Sequence, residues 1–566
     1  MDTPRFGVPE RLAQRMTMTE QHEYLRARLS RRRVLRGGAA TAGTVAGAGL
    51  LGGAACAADT TPAPVASPKP VTATVDGARV APFGRHLAFG ADPRTQMRIS
   101  WQVPFAVRKP HVRIGTSPLE LTRTIEAEVR HLHTPSLSDK LPAVDQFYLH
   151  AAVDDLRPGT TYYYGVGHAD RDPAEPRHFS SVGIFRTAPE RPGKFVFTAF
   201  GDQGVSYDAL ANDQLILGQN PSFHLHAGDL CYADTTGHGK KTDLYDARVW
   251  DSFLAQTDSV AASVPWMVTT GNHDMEAWYS PDGYGGQLAR WSLPDNGPDP
   301  RKAPGVYSFV YGNVGVVALD ANDVSYEISP NKGYTDGAQT RWLDRRLRQL
   351  RKRPGIDFLV VFFHHCAYST TSAHASDGGV RDTWVPLLEK HQVDLVINGH
   401  NHVYERTDAI RGGKVARRVP IEGSADAVRD GIVYVTAGGA GAKLYEFPVP
   451  DSYEGHIKDL DEVKTYHWTK DGEKNRDSAD WSRVRYTGFS FLAVEVEPGP
   501  RPRLTVTALA ESGERVDRFE VTRPGVSDRW NRRCHGGRGR AAARRRPSCG
   551  RCRRSCGGSC GQSSRP

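Results

Sequence analysis

Five apolar runs between residues 194 and 398 each break off into a short polar cluster, and that repetition constrains the fold more than any other feature. Phe200 leads into Gly201-Asp202-Gln203-Gly204, and Ala227 into Gly228-Asp229-Leu230-Cys231-Tyr232-Ala233-Asp234. Thr270 leads into Gly271-Asn272-His273-Asp274, Phe363 into His364-His365-Cys366, and Asn398 into Gly399-His400-Asn401-His402. Continuous apolar strands alternate here with amphipathic stretches such as 339–353, where Trp342, Leu343, Leu347 and Leu350 fall at helical spacing. That alternation predicts an α/β layered core. In open sheets of this kind ligands gather beyond the carboxyl ends of the strands. The glycines let the backbone turn sharply and aim each side chain at a common centre. A lone Asp or His at a strand end is usually a cap. Five clusters, all with hard oxygen or nitrogen donors, point to a metal site instead.

Residues 83–190 pattern differently. MRISWQV, HVRIGT, FYLHAAV, TYYYGVG and SVGIFRTA are strand-like runs divided by turn signals, with no helical period, which predicts an all-β sandwich. The layered core spans 191–445. The polar stretch 446–482 reads as a long loop, and 483–525 (FLAVEVE, RLTVTALAE, RFEVT) return to strands that complete the sheets. No internal repeat is apparent.

The two ends carry most of the charge. The 566-residue chain has a formal net charge of +9, of which residues 1–57 hold +5 and 529–566 hold +12, leaving the body at −8. An acidic body argues against a specific nucleic-acid partner. Ser30-Arg31-Arg32-Arg33-Val34-Leu35-Arg36 resembles a twin-arginine export signal, and the weakly apolar run behind it ends at Ala55-Cys56-Ala57. The expectation is a signal peptide over 1–57, passage through the twin-arginine translocase, a secreted product and no stable membrane insertion. Residues 58–82, rich in Pro, Ala and Thr, read as a linker. Residues 526–566, with Cys549, Cys552, Cys556 and Cys560 among Arg and Gly, read as a disordered basic tail.

The order GD…GDxxY…GNH…H…GHxH resembles that of the calcineurin-like metallophosphoesterases. Tyr232, three residues after Asp229, narrows the resemblance to purple acid phosphatases. The resemblance implies an α/β (α+β) four-layer metallophosphoesterase sandwich behind a fibronectin type III-like β-sandwich domain. It also implies Fe(III) bound by Asp202, Asp229, Tyr232 and His402. A second divalent metal (Fe, Zn or Mn) would take Asp229, Asn272, His364 and His400, with Asp229 bridging. The implied activity is that of a secreted acid phosphatase in which a metal-bound hydroxide attacks a phosphomonoester. The donor chemistry agrees, since carboxylate, phenolate and imidazole suit a ferric ion beside a borderline divalent partner.

His273 and His374 are the candidate proton donors. A His-His pair is usual in the plant enzymes where Ala373-His374 stands here, and the first block reads GDQG where GDLG is usual. His365 replaces a small polar residue and, by strand alternation, should point opposite to His364. Cys231 and Cys366 read as buried small residues. Two other functions remain open from sequence: a phosphodiesterase or nucleotide pyrophosphatase of the same superfamily, and a non-catalytic surface-binding protein with a vestigial metal site.

Overall fold

The computed structural model describes residues 76–175 and 182–524. The leader, nearly all of the linker and the basic tail lie outside these residues. Among the described residues no helix is long and apolar enough to cross a membrane.

Period-two patterning over 83–186 yields two four-stranded antiparallel sheets. Phe83–Phe89, Met97–Val103, Val144–Val153 and Glu128–Thr134 lie in that order in one. Arg123–Glu126, His111–Gly115, Thr161–Gly167 and Gly183–Arg186 form the other. In His111–Gly115 the alternation is plain, with Val112 and Ile114 buried between partly exposed neighbours.

Two seven-stranded sheets follow. The first runs Trp266–Val268, His224–His226, Phe195–Phe200, Ser490–Glu497, Arg503–Ala510, Arg515–Thr522, Ser424–Asp426. The second runs Tyr307–Tyr311, Val314–Ala318, Phe358–Phe363, Leu395–Asn398, Val433–Ala437, Tyr404–Thr407, Ser482–Tyr486. Strands 195–200, 224–226 and 266–268 are mutually parallel, as are 314–318, 358–363, 395–398 and 433–437. Parallel pairing brings carboxyl ends to one edge of a sheet, and all five polar clusters follow such ends. Phe197, Leu225, Val316, Val360, Ile397, Val435 and Val494 belong to one buried core between the sheets. Helix Ala338–Lys352 buries Trp342, Leu343, Leu347 and Leu350 in a cluster with Val317, Leu359 and Phe363. Helices Tyr207–Gly218 and Val249–Ala261 contribute Ile216, Trp250, Phe253 and Leu254 to a third cluster with Phe200, Trp266 and Phe491. Helices outside two facing sheets make four layers.

One expectation needs correction. Residues 446–482 are not a loop throughout: Val463–Trp468 and Lys474–Ala479 pair as an antiparallel hairpin, and Val463–Trp468 also pairs with Ser376–Asp377. Most of their side chains are partly or fully exposed, so no apolar alternation announced them.

The β-sandwich shares its core with the layered domain. Phe89 packs among Phe223, Phe309 and Tyr311 at centroid distances of 6.1, 5.9 and 5.9 Å. Burying one such ring contributes about 1.5–3 kcal/mol. The Tyr164 hydroxyl donates to the Ala262 carbonyl at 2.7 Å, and the amides of Gln102 and Gln146 both donate to Asp251 Oδ1.

Candidate metal centre

Sharp turns after each strand put the donors where they are, and the backbone bears the cost. Asp202, Asp229, Tyr232 and His400 have φ values of 62°, 54°, 57° and 67°, the left-handed region, which costs a side chain roughly 1–2 kcal/mol per residue. Gly271 has a different reason to lack a side chain, because a Cβ there would lie 2.0 Å from Asp229 Oδ1. Asp274 ties the second and third clusters together, accepting from the backbone N–H groups of Asp229, Leu230 and Gly271 at 2.9, 3.1 and 2.8 Å. Burial, followed by the neighbouring charge of Asp229, raises its pKa to about 7.

The donors converge into two groups. Asp202, Asp229 and His402 each offer an atom within 4.8 Å of the others. The Tyr232 hydroxyl joins them, 2.9 Å from His402 Nε2 and 3.3 Å from Asp202 Oδ1. In the second group His364 Nε2 lies 3.1 Å from Asn272 Oδ1, 3.2 Å from Asp229 Oδ2 and 3.2 Å from His400 Nδ1. Asp229 belongs to both. Outer hydrogen bonds fix the rings: His364 Nδ1–H donates to the Ala227 carbonyl at 2.9 Å and His402 Nδ1–H to the Lys443 carbonyl at 2.7 Å. Each leaves its Nε2 lone pair facing inward. The Tyr445 ring stacks on His402 at 4.1 Å and 12°.

The electrostatics of the cluster favour positive charge within it. Burial opposes charge on Asp229, yet His364 and His273 hold its pKa well below the usual carboxylate range. Burial also opposes charge on His364, but Asp229 and Asp202 overcome it and lift the ring to about 9. Burial and then the charges of Asp202 and Asp229 push the Tyr232 phenol well above its ordinary value. A buried cation of high charge would reverse the last of these effects and satisfy all the converging lone pairs. Seven O and N donors in two groups, sharing one carboxylate, fit a pair of metal ions.

Both proton-donor candidates flank this cradle. His273 donates from Nδ1 to the Asp234 carbonyl at 2.7 Å, and its Nε2 is 3.9 Å from Asp229 Oδ2. Burial lowers its pKa. The His374 ring lies 4.3 Å from that of His400, with Nδ1 2.6 Å from Glu327 Oε1 and Nε2 3.2 Å from the Tyr445 hydroxyl. His365 does not point away from the cradle. The strand ends at Phe363, so alternation has stopped, and the His365 ring packs 4.3 Å from His400. Cys231 and Cys366 are buried free thiols, and burial raises Cys366 to about 12.

Glu327, Asp274 and Tyr445 escaped the sequence reading as functional residues. Asp274 stands inside the third cluster and was legible there. Glu327 and Tyr445 follow no apolar run.

Known proteins resolve the fold and chemistry together. Residues 82–187 match the family described as "Purple acid Phosphatase, N-terminal domain", and residues 195–404 match "Calcineurin-like phosphoesterase". Purple acid phosphatase 21 of Arabidopsis thaliana is 30% identical over 337 residues, 56% of this chain and 67% of that one. The chain belongs to the purple acid phosphatase-like metallophosphoesterases. As a member of that family it is a metal-dependent phosphatase, a hydrolase of phosphoric monoesters. An uncharacterized protein of Mycobacterium tuberculosis is 31% identical over 483 residues, 78% of this phosphatase and 87% of the relative. The solved purple acid phosphatase PPD1 from yellow lupin seeds shares the fold, with a TM-score of 0.59 at 20% identity over 79% of this chain and 75% of that one.

Proposed function

We propose that this phosphatase is an exported, dinuclear acid phosphatase. Fe(III) is held by Asp202, Asp229, Tyr232 and His402, and a divalent ion (Fe, Zn or Mn) by Asp229, Asn272, His364 and His400. The observation that carries this reading is the Asp229 carboxylate, shared between two groups of converging donors. When bound, two such ions supply the charge that clamps a phosphoryl group and lower the pKa of a nucleophilic water.

The chain's own residues account for the remaining steps. His364 and His402, whose Nδ1–H groups are held by backbone carbonyls, keep Nε2 aimed inward, so that no ring need turn on loading. His273 is committed through Nδ1 to a carbonyl and is disfavoured as a cation by burial, so it suits the role of orienting a substrate oxygen near Asp229. His374 is the better acid. Its side chain is 26% exposed, it holds a carboxylate through Nδ1, and its Nε2 can give a proton to the leaving oxygen as the P–O bond breaks. The Arg31-Arg32 pair supports export through the twin-arginine route.

Metal analysis with a visible spectrum tests the assignment. Wild type should carry iron and show a phenolate-to-Fe(III) band that Tyr232→Phe removes without unfolding the protein. A colourless wild type, fully active with two zinc or manganese ions, would overturn the ferric site.

A further inference from the structure

Resting on the dinuclear reading, we propose that Glu327 is a positioning residue whose one carboxylate sets the tautomers of both a metal ligand and the general acid. Glu327 Oε2 lies 3.0 Å from His400 Nε2, and Oε1 lies 2.6 Å from His374 Nδ1. The side chain is 7% exposed. Its approach is built rather than incidental. Asp377 Oδ2 accepts from the backbone N–H groups of Tyr326 and Glu327 at 3.0 and 3.2 Å and from the Ser325 hydroxyl at 2.7 Å, pinning the segment that carries Glu327.

The chemistry follows from what each group can donate. An ionised carboxylate only accepts, and a neutral imidazole has one N–H. Glu327 therefore places the His400 proton on Nε2, which leaves the Nδ1 lone pair facing His364 and the second ion site. The other carboxylate oxygen keeps a proton on His374 Nδ1, so the proton given to a leaving group comes from Nε2. The ring is thereby oriented separately from its loop, which the hairpin holds through Trp468 Nε1–H to the His374 carbonyl at 2.9 Å and the Tyr466 hydroxyl to the Ala373 carbonyl. Glutamine cannot replace this acceptor pair, because its amide would turn an N–H toward one of the two rings.

Glu327, His374 and His400 also form a trio able to hold an ion of its own. Contacts of 2.6 and 3.0 Å between donor and acceptor are hydrogen-bond distances and satisfy these atoms directly. The experiment separates the two possibilities. In Glu327→Gln holoenzyme, loss of the second ion to a chelator should be about 10–100-fold faster than in wild type. The ratio of alkyl phosphate to p-nitrophenyl phosphate turnover should fall toward that of His374→Ala. In the Glu327→Gln/His374→Ala double variant the ratio should fall no further, while rapid metal loss persists. An unchanged chelation rate and an unchanged ratio in folded Glu327→Gln would overturn the proposal. So would three equivalents of metal in wild type and two in the variant. If His374→Ala alone leaves the ratio unaltered, the general-acid reading fails, and the chelation rate still judges Glu327 against His400. Should Glu327→Gln not fold, Glu327→Ala with added formate replaces the carboxylate. Recovery of the ratio on formate supports the assignment and its absence refutes it.

Discussion

Two buried histidines, in different regions of this molecule, are treated in opposite ways. At the contact between sandwich and phosphatase domain, His150 is complete: it accepts from the Ser100 hydroxyl at Nδ1 and donates to the Ala289 carbonyl from Nε2, both at 2.8 Å. Burial, helped by the charge of Arg130, holds its pKa well below the ordinary value. In the cradle His364 is just as buried, yet two carboxylates raise it to about 9. Burial alone does not decide the charge of a ring. Its partners do: neutral dipoles keep a buried ring neutral, whereas crowded carboxylates favour positive charge on it.

The largest expected effect breaks the cradle side of that comparison. His374→Ala should slow alkyl phosphates by about 10²–10⁴ while leaving p-nitrophenyl phosphate, whose leaving group departs unprotonated, much less affected. Steady-state rates on both substrates decide it, and equal losses would demote His374 to a positioning role. Next comes the apolar part of the interface. Phe89→Ala empties the space among Phe223, Phe309 and Tyr311 and should cost about 3–5 kcal/mol in denaturant unfolding, with metal content unchanged.

The smallest effect sharpens the histidine contrast through pH. His150 has a folded pKa below its unfolded value of 6.5, so the unfolded chain binds the proton more tightly. Its stabilising contribution is complete above pH 6.5 and is lost as pH falls. Stability should fall progressively as pH drops below 6.5. Thermal unfolding of wild type and His150→Gln across that window measures it. The variant should show the shallower pH slope, and parallel slopes would mean that folding leaves the proton affinity of His150 unchanged.

Legibility in the sequence followed local rules. The five clusters stood out because each joins a glycine, a strand end and a donor within a few residues. The helix over 338–352 and the sandwich strands stood out through their periods. Glu327 belongs to a turn-rich stretch 73 residues before His400, and only the packing of that stretch against Asp377 brings it to the cradle. The hairpin of 463–479 was hidden for a related reason. Its strands are stabilised by each other and by Ser376–Asp377 rather than by an apolar face, so no pattern was written in it. His365 does not obey alternation because its strand ends two residues earlier, at Phe363.

The left-handed backbone at Asp202, Asp229, Tyr232 and His400 bears on how such a chain evolves. At each of these positions glycine would sit without steric penalty, and asparagine nearly so. Glycine would ease the backbone there, but at Asp202 and Asp229 it would also remove the acceptors of the His400 and His273 backbone N–H groups. All four positions instead keep a carboxylate, a phenol or an imidazole against the preference of the backbone.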